Sequence, residues 1–173
     1  MTDDLLRARV RDVPDFPKPG IVFKDLMPLI ADPTAFGQTI DLLAGWARPR
    51  SPDVILGAEA RGFIFGGALA YALGCGFVPA RKPGKLPWRT VEATYELEYG
   101  TDTIEVHADA IGEGSRVIVL DDVLATGGTA EAKVGLVQRM GGTVVGALFV
   151  IELTFLEGRE RLAGTEVHSL IAY

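Results

Sequence analysis

The segment Val117-Ile118-Val119-Leu120-Asp121-Asp122-Val123-Leu124-Ala125-Thr126-Gly127-Gly128-Thr129 restricts this chain more than any other stretch. An apolar, β-branched run such as 116–120 reads as a strand buried on both faces. It leads into two adjacent acids, a small glycine-rich loop, and a helical pattern from about Gly128 to Met140 that buries Ala130, Val134 and Val137 before Gly141-Gly142 stops it. A buried strand feeding a helix through a tight loop is α/β architecture, and such sheets bind ligands at the carboxyl ends of their strands. The loop N–H groups and the helix N-terminus together form an anion site, to which Thr126 and Thr129 add hydroxyl donors. Asp121 and Asp122 would repel a bare phosphate. They make sense if the ligand also offers hydroxyls or brings a divalent cation, and a phosphorylated sugar has both needs. A Walker loop is excluded because 125–131 has no Lys before Ser or Thr, and Gly112-Glu113-Gly114 precedes a strand instead of following one, so it reads as a turn.

The rest of the chain alternates in the same way. Asp32-Pro33 starts a helix, with Phe36, Ile40, Leu43, Ala44 and Ala47 at helical spacing and Pro49 and Pro52 beyond its end. Residues 53–58 read as a buried strand, Gly62 to Leu73 as a helix, 77–81 as a strand, 94–98 and 103–107 as a hairpin around Gly100, and 143–151 and 166–171 as the last strands. This order predicts a mostly parallel sheet flanked by helices, in a single domain over 1–173. Residues 3–11 read as a short amphipathic helix. Pro14, Pro17 and Pro19 make 13–30 an irregular apolar flap, a small N-terminal hood over the site. The polar, basic stretch 82–93 reads as a mobile loop.

Composition removes several classes. With 48% apolar and 23% charged residues over 173 positions the chain is globular. Its 23 acids against 17 bases, net charge -6, argue against a nucleic-acid partner. Residues 62–80 carry no charge, but Gly74-Cys75-Gly76 and Pro79 interrupt them, so no membrane helix is expected. Cys75 is the single cysteine, which rules out an intrachain disulfide. The acidic start lacks the basic region of a signal peptide, which gives a cytoplasmic expectation. His107 and His168 read as structural, and Trp46 and Trp88 receive no chemical role.

Residues 117–129 resemble the phosphoribosyl-pyrophosphate (PRPP) signature of the type I phosphoribosyltransferases. Four more segments, Pro14–Asp25 (PDFPKPGIVFKD), Glu59–Phe63 (EARGF), Arg81–Pro87 (RKPGKLP) and Tyr95–Gly100 (YELEYG), resemble the adenine-specific members of that family, in order and across nearly the whole chain. The resemblance implies the type I phosphoribosyltransferase fold, conversion of adenine and PRPP to AMP and pyrophosphate with Mg²⁺, and a homodimer. It places the 5′-phosphate on Ala125, Thr126, Gly127, Gly128 and Thr129, and the ribose hydroxyls on Asp121 and Asp122, partly through metal. It assigns Arg61 to the pyrophosphate, and Arg81 and Lys85 with Lys82 to neutralising that leaving group. Glu98 becomes the acid/base at the purine, with Tyr99 beside it. Backbone groups of Val22 and Lys24 would read the purine edge, and Phe23 and Val123 would sandwich its ring. Glu59 and Ala60 complete the contacts, with a cis peptide between them as a hypothesis. Two departures stand out: Lys24 where Arg is common, and Pro83 where many relatives carry a charge. Two other readings remain open: a 6-oxopurine as substrate, or a PRPP-sensing regulator without catalysis.

Overall fold

The computed structural model describes residues 2–96 and 100–173. Five parallel strands form the central sheet: β3 (Val54–Ala58), β4 (Gly76–Ala80), β7 (Arg116–Leu124), β8 (Thr143–Glu152) and β9 (Val167–Ala172), in the spatial order β4-β3-β7-β8-β9. Residue alternation along β7 divides the core. Ile118 and Leu120 join Phe65 and Leu69 of α4 (Arg61–Leu73) and Leu43 of α3 (Pro33–Ala47). Val117 and Val119 point the other way and join Leu136 and Val137 of α5 (Gly128–Arg139). Helices therefore cover both faces, which is why β7 reads as a continuous apolar run. Each enclosed Leu, Ile or Phe contributes about 1.5–3 kcal/mol.

Asp32 caps α3 as its sequence predicts, its Oδ1 accepting from the N–H groups of Thr34 and Ala35 at 3.0 and 3.1 Å. The N-terminal helix is shorter than expected, α1 (Thr2–Arg7), because the chain has turned into a strand by Arg11. The expected irregular flap is in fact an antiparallel hairpin, β1 (Arg11–Pro14) with β2 (Val22–Asp25), followed by the short helix α2 (Met27–Ala31). Its prolines lie at the edge of β1 and in the connecting turn, where no ladder N–H is needed. The turn is closed by Gly20 N–H donating to Asp15 Oδ1 at 2.8 Å.

The 82–93 segment is also more ordered than its composition suggests. β5 (Thr90–Glu96) begins at Thr90 and pairs with β6 (Thr101–His107) in antiparallel register. Val91 opposite Val106 and Ala93 opposite Ile104 supply an apolar face that packs against α5, and this outweighs the turn residues upstream. Only 81–89 connect β4 to β5. Leu97, Glu98 and Tyr99 lie outside the described residues. Among the described residues no helix is long and apolar enough to cross a membrane.

Candidate active site

The carboxyl ends of β3, β4 and β7 open into a cavity of about 460 Å³. Its floor is the strand-to-helix turn after β7. The strand continues to Leu124, four residues past its expected end, so Asp121 and Asp122 sit within it and both line the cavity. Asp121 borders Gly62 at the start of α4 and reaches α5, where the buried Lys133 ammonium donates to its Oδ2 at 2.8 Å. Asp122 faces α4, where the Arg61 guanidinium pairs with it. Burial pushes the Asp121 carboxyl up to about 6; Lys133 opposes the shift and Asp122 adds to it.

Beyond the acids, Ala125 to Thr129 line the cavity. Gly127 has φ +86°, a conformation that only glycine adopts without strain, and it delivers the chain into α5. No side chain caps this helix, so its first-turn N–H groups remain available to an anion. The loop lies directly on a second backbone: a Cβ at Gly127 would overlap the Gly158 carbonyl, and a Cβ at Gly158 would overlap the Ala125 carbonyl. The Gly158 segment is in turn anchored by the buried carboxylate of Glu152, which accepts from Arg159 at 2.5 and 2.7 Å.

The opposite wall is the β1–β2 hairpin, which contributes Ile21, Val22, Phe23 and Lys24. The Phe23 ring rests against Phe16 with centroids 5.2 Å apart, and the Arg61 guanidinium lies 5.3 Å from its centre. The Lys24 ammonium is taken by Asp12 at 2.7 Å and by the face of Tyr173. Val123 lines the cavity from β7.

Residues 30–169 match the phosphoribosyl transferase domain family. An adenine phosphoribosyltransferase of Solibacter usitatus is 60% identical over 168 residues, 97% of each chain. The chain belongs to the adenine phosphoribosyltransferase family. Among solved structures of the family, the enzyme from Thermoanaerobacter pseudethanolicus aligns with a TM-score of 0.96 at 51% identity, covering 99% of both chains. The Saccharomyces cerevisiae enzyme, solved with an imino-altritol bisphosphate and adenine, aligns at 0.94 and 41% identity, covering 98% of both. The five-stranded parallel sheet flanked by helices is this family's fold.

Family membership makes the outer layer of the site intelligible. Glu59 lines the cavity and gathers the basic segment around itself. It accepts from the Lys82 N–H at 2.6 Å and from Arg81 at 3.1 and 3.2 Å, and the Lys85 ammonium lies 3.4 Å away. Burial pushes the Glu59 carboxyl up, but these donors and charges outweigh it and hold it below its ordinary value. Arg81, Lys85 and Ala60 do not line the cavity themselves; Lys82 does. The Glu59–Ala60 peptide is cis. Glu98 and Tyr99 fall outside the described residues.

Besides apolar lining residues such as Ile104 and Phe149, four residues that shape the site escaped the sequence reading. Tyr95 and Asp102, paired across the β5–β6 hairpin, line the cavity; Asp102 accepts from the Tyr95 hydroxyl at 3.2 Å and pairs with Lys82. Their cross-strand register was the available signal. Lys133 and Gly158 carried none. A lysine in an amphipathic helix reads as solvated, and Gly158 touches the loop only through tertiary packing.

Among the described residues no cluster of three or more His, Cys, Asp or Glu could hold a metal alone. The acid pair fits Mg²⁺, which keeps several waters and takes one or two protein carboxylates alongside substrate phosphates.

Proposed function

We propose that this chain transfers the phosphoribosyl group of PRPP to adenine, releasing AMP and pyrophosphate. What carries the reading is one cavity with two unlike ends. An uncapped helix start and two acids form one end, and an apolar hairpin bearing Phe23 forms the other. A sugar phosphate suits the first and a planar base the second. The yeast family member was solved with a bisphosphate and adenine together.

In this reading the N–H groups of 125–129 and the hydroxyls of Thr126 and Thr129 hold the 5′-phosphate. Asp121 and Asp122 accept from the ribose hydroxyls and stabilise the positive charge that develops at C1′. Phe23 and Val123 sandwich the purine, and backbone groups of Val22 and Lys24 read its edge. Arg61 leaves Asp122 for the incoming pyrophosphate, which suits a planar bidentate donor. The purine nitrogen N9 forms its bond to C1′ as the C1′–O bond to pyrophosphate breaks, and Glu98 takes the purine proton. Arg81, Lys82 and Lys85 neutralise the departing charge when 82–89 closes over the site. Asp121 and Asp122 would hold Mg²⁺, which would supply charge neutralisation when bound. A homodimer in the cytoplasm belongs to the same reading.

A spectrophotometric assay with PRPP, Mg²⁺ and each of adenine, hypoxanthine, guanine and xanthine tests the reaction. Turnover with adenine alone is expected. Turnover of a 6-oxopurine but not adenine, or tight nucleotide binding without turnover, would overturn it. A Glu98→Gln chain that kept the wild-type pH–rate profile would reject the role given to Glu98.

A further inference from the structure

The face of α5 against the sheet holds a charge that this reaction does not yet use. Lys133 is fully enclosed. Its ammonium donates to the Leu120 carbonyl and to Asp121 Oδ2, each at 2.8 Å. A lysine removed from water persists only where its charge is met and its protons are placed. It lies about one and a half turns into α5, beneath the strand-to-helix loop.

The two acids are therefore held unequally. Both oxygens of Asp121 are engaged by this chain: Oδ1 accepts from the Asp122 N–H at 3.1 Å and Oδ2 from Lys133. Asp122 instead pairs with Arg61, whose side chain is 43% exposed. One acid is fixed against the core. The other is tied to a partner that an incoming ligand can draw away.

We infer that Lys133 is a positioning residue for the pentose phosphate: it locks the Asp121 carboxylate in one orientation and offsets its charge beside the phosphate loop. The inference rests on the phosphoribosyl-transfer reading and deepens it. Two uncompensated carboxylates next to a dianionic phosphate would oppose its entry in a site with little water to screen them. With Lys133 in place, Asp121 acts on the sugar through geometry, and the loop N–H groups act on the phosphate with less opposition. Methionine has nearly the volume of lysine but neither charge nor donor, so Lys133→Met isolates the effect.

The test compares wild type, Lys133→Met, Asp121→Asn and the double variant, varying PRPP at saturating adenine and then the reverse. Lys133→Met is expected to raise KM for PRPP by roughly ten- to a hundredfold, the range for a lost hydrogen bond to a charged group, with KM for adenine unchanged. In the Asp121→Asn background the same change should add less than about twofold, because its target is gone. An unchanged KM for PRPP in Lys133→Met overturns the inference, as does a full-sized effect that persists in the Asp121→Asn background. If Lys133→Met does not fold, the Asp121→Asn chain and the double variant decide it: equal KM values support the role and a further rise overturns it. Wild-type turnover with a matching Lys133→Met removes the role of Lys133 alone, whereas a wild type without turnover removes both readings.

Discussion

At one end of the cavity, Ala125 to Thr129 lie backbone against backbone with Gly158, over a helix whose buried Lys133, Leu136 and Val137 face the core. At the other end, β1 and β2 carry mostly exposed or half-exposed side chains, with Phe16 and Val22 each about half in water. The phosphate end gains its shape from the core, so disturbing it costs stability and binding together. The purine end is a surface ribbon, so its residues can change affinity with little effect on the fold. Rigid donors suit a small, fixed, highly charged group. A hairpin with few core contacts can adjust around a flat base.

The strongest way to break this contrast is at Gly158. A Cβ there meets the Ala125 carbonyl, and the backbone has no room to yield. Gly158→Ala is expected to lower stability by about 1–3 kcal/mol and kcat/KM for PRPP by about a hundredfold. A melting curve and steady-state kinetics check both; wild-type kinetics in this variant would show that the loop is not shaped by its support. Next is Arg61, which touches both ends. Arg61→Ala should reduce kcat by about a hundredfold, as expected when a donor to developing charge is lost. A purely structural Arg61 would instead change the melting temperature and leave kcat alone.

Phe23→Ala sharpens the comparison from the other side. The loss of one stacking face should raise KM for adenine about tenfold. KM for PRPP and the melting temperature should stay near wild type, since the ring sits on a surface hairpin. A large fall in melting temperature would place the hairpin within the core's cooperative unit. The smallest effect is expected at Glu152. The paired Arg159 chiefly, with Ser169, holds its carboxyl below the ordinary value of 4.5, against the opposing effect of burial. A lowered folded-state value means that the stabilisation is complete above 4.5 and fades as pH falls through the lower value. The melting-temperature gap between wild type and Glu152→Gln should therefore narrow as the solution is acidified below 4.5. A gap that widened in acid would contradict the pairing.

Much of the phosphate end was legible in the sequence. The apolar run, the Asp121–Asp122 pair and the small loop follow one another along the chain, so local pattern and function coincide. The purine end was legible only as residues that resemble a family. Three prolines suggested irregular backbone, while the ladder from Arg11–Asp25 to Pro14–Val22 makes a strand pair. The β5 boundary was hidden for the same reason: Thr90 to Ala93 gain their partners from residues 104–107. Among the expected site residues, Arg81 and Lys85 reach the cavity only by way of Glu59.

The order of apolar segments, the capping residues and the glycine-rich turn are local properties. They determined from sequence alone that this chain forms a helix-flanked parallel sheet with a glycine-rich turn after its central strand. The unequal holding of Asp121 and Asp122, the enclosure of Lys133 and the support of the loop by Gly158 join residues far apart along the chain. Close packing decided these, because only the assembled core establishes which charge is cut off from water and which backbone has no room for a side chain.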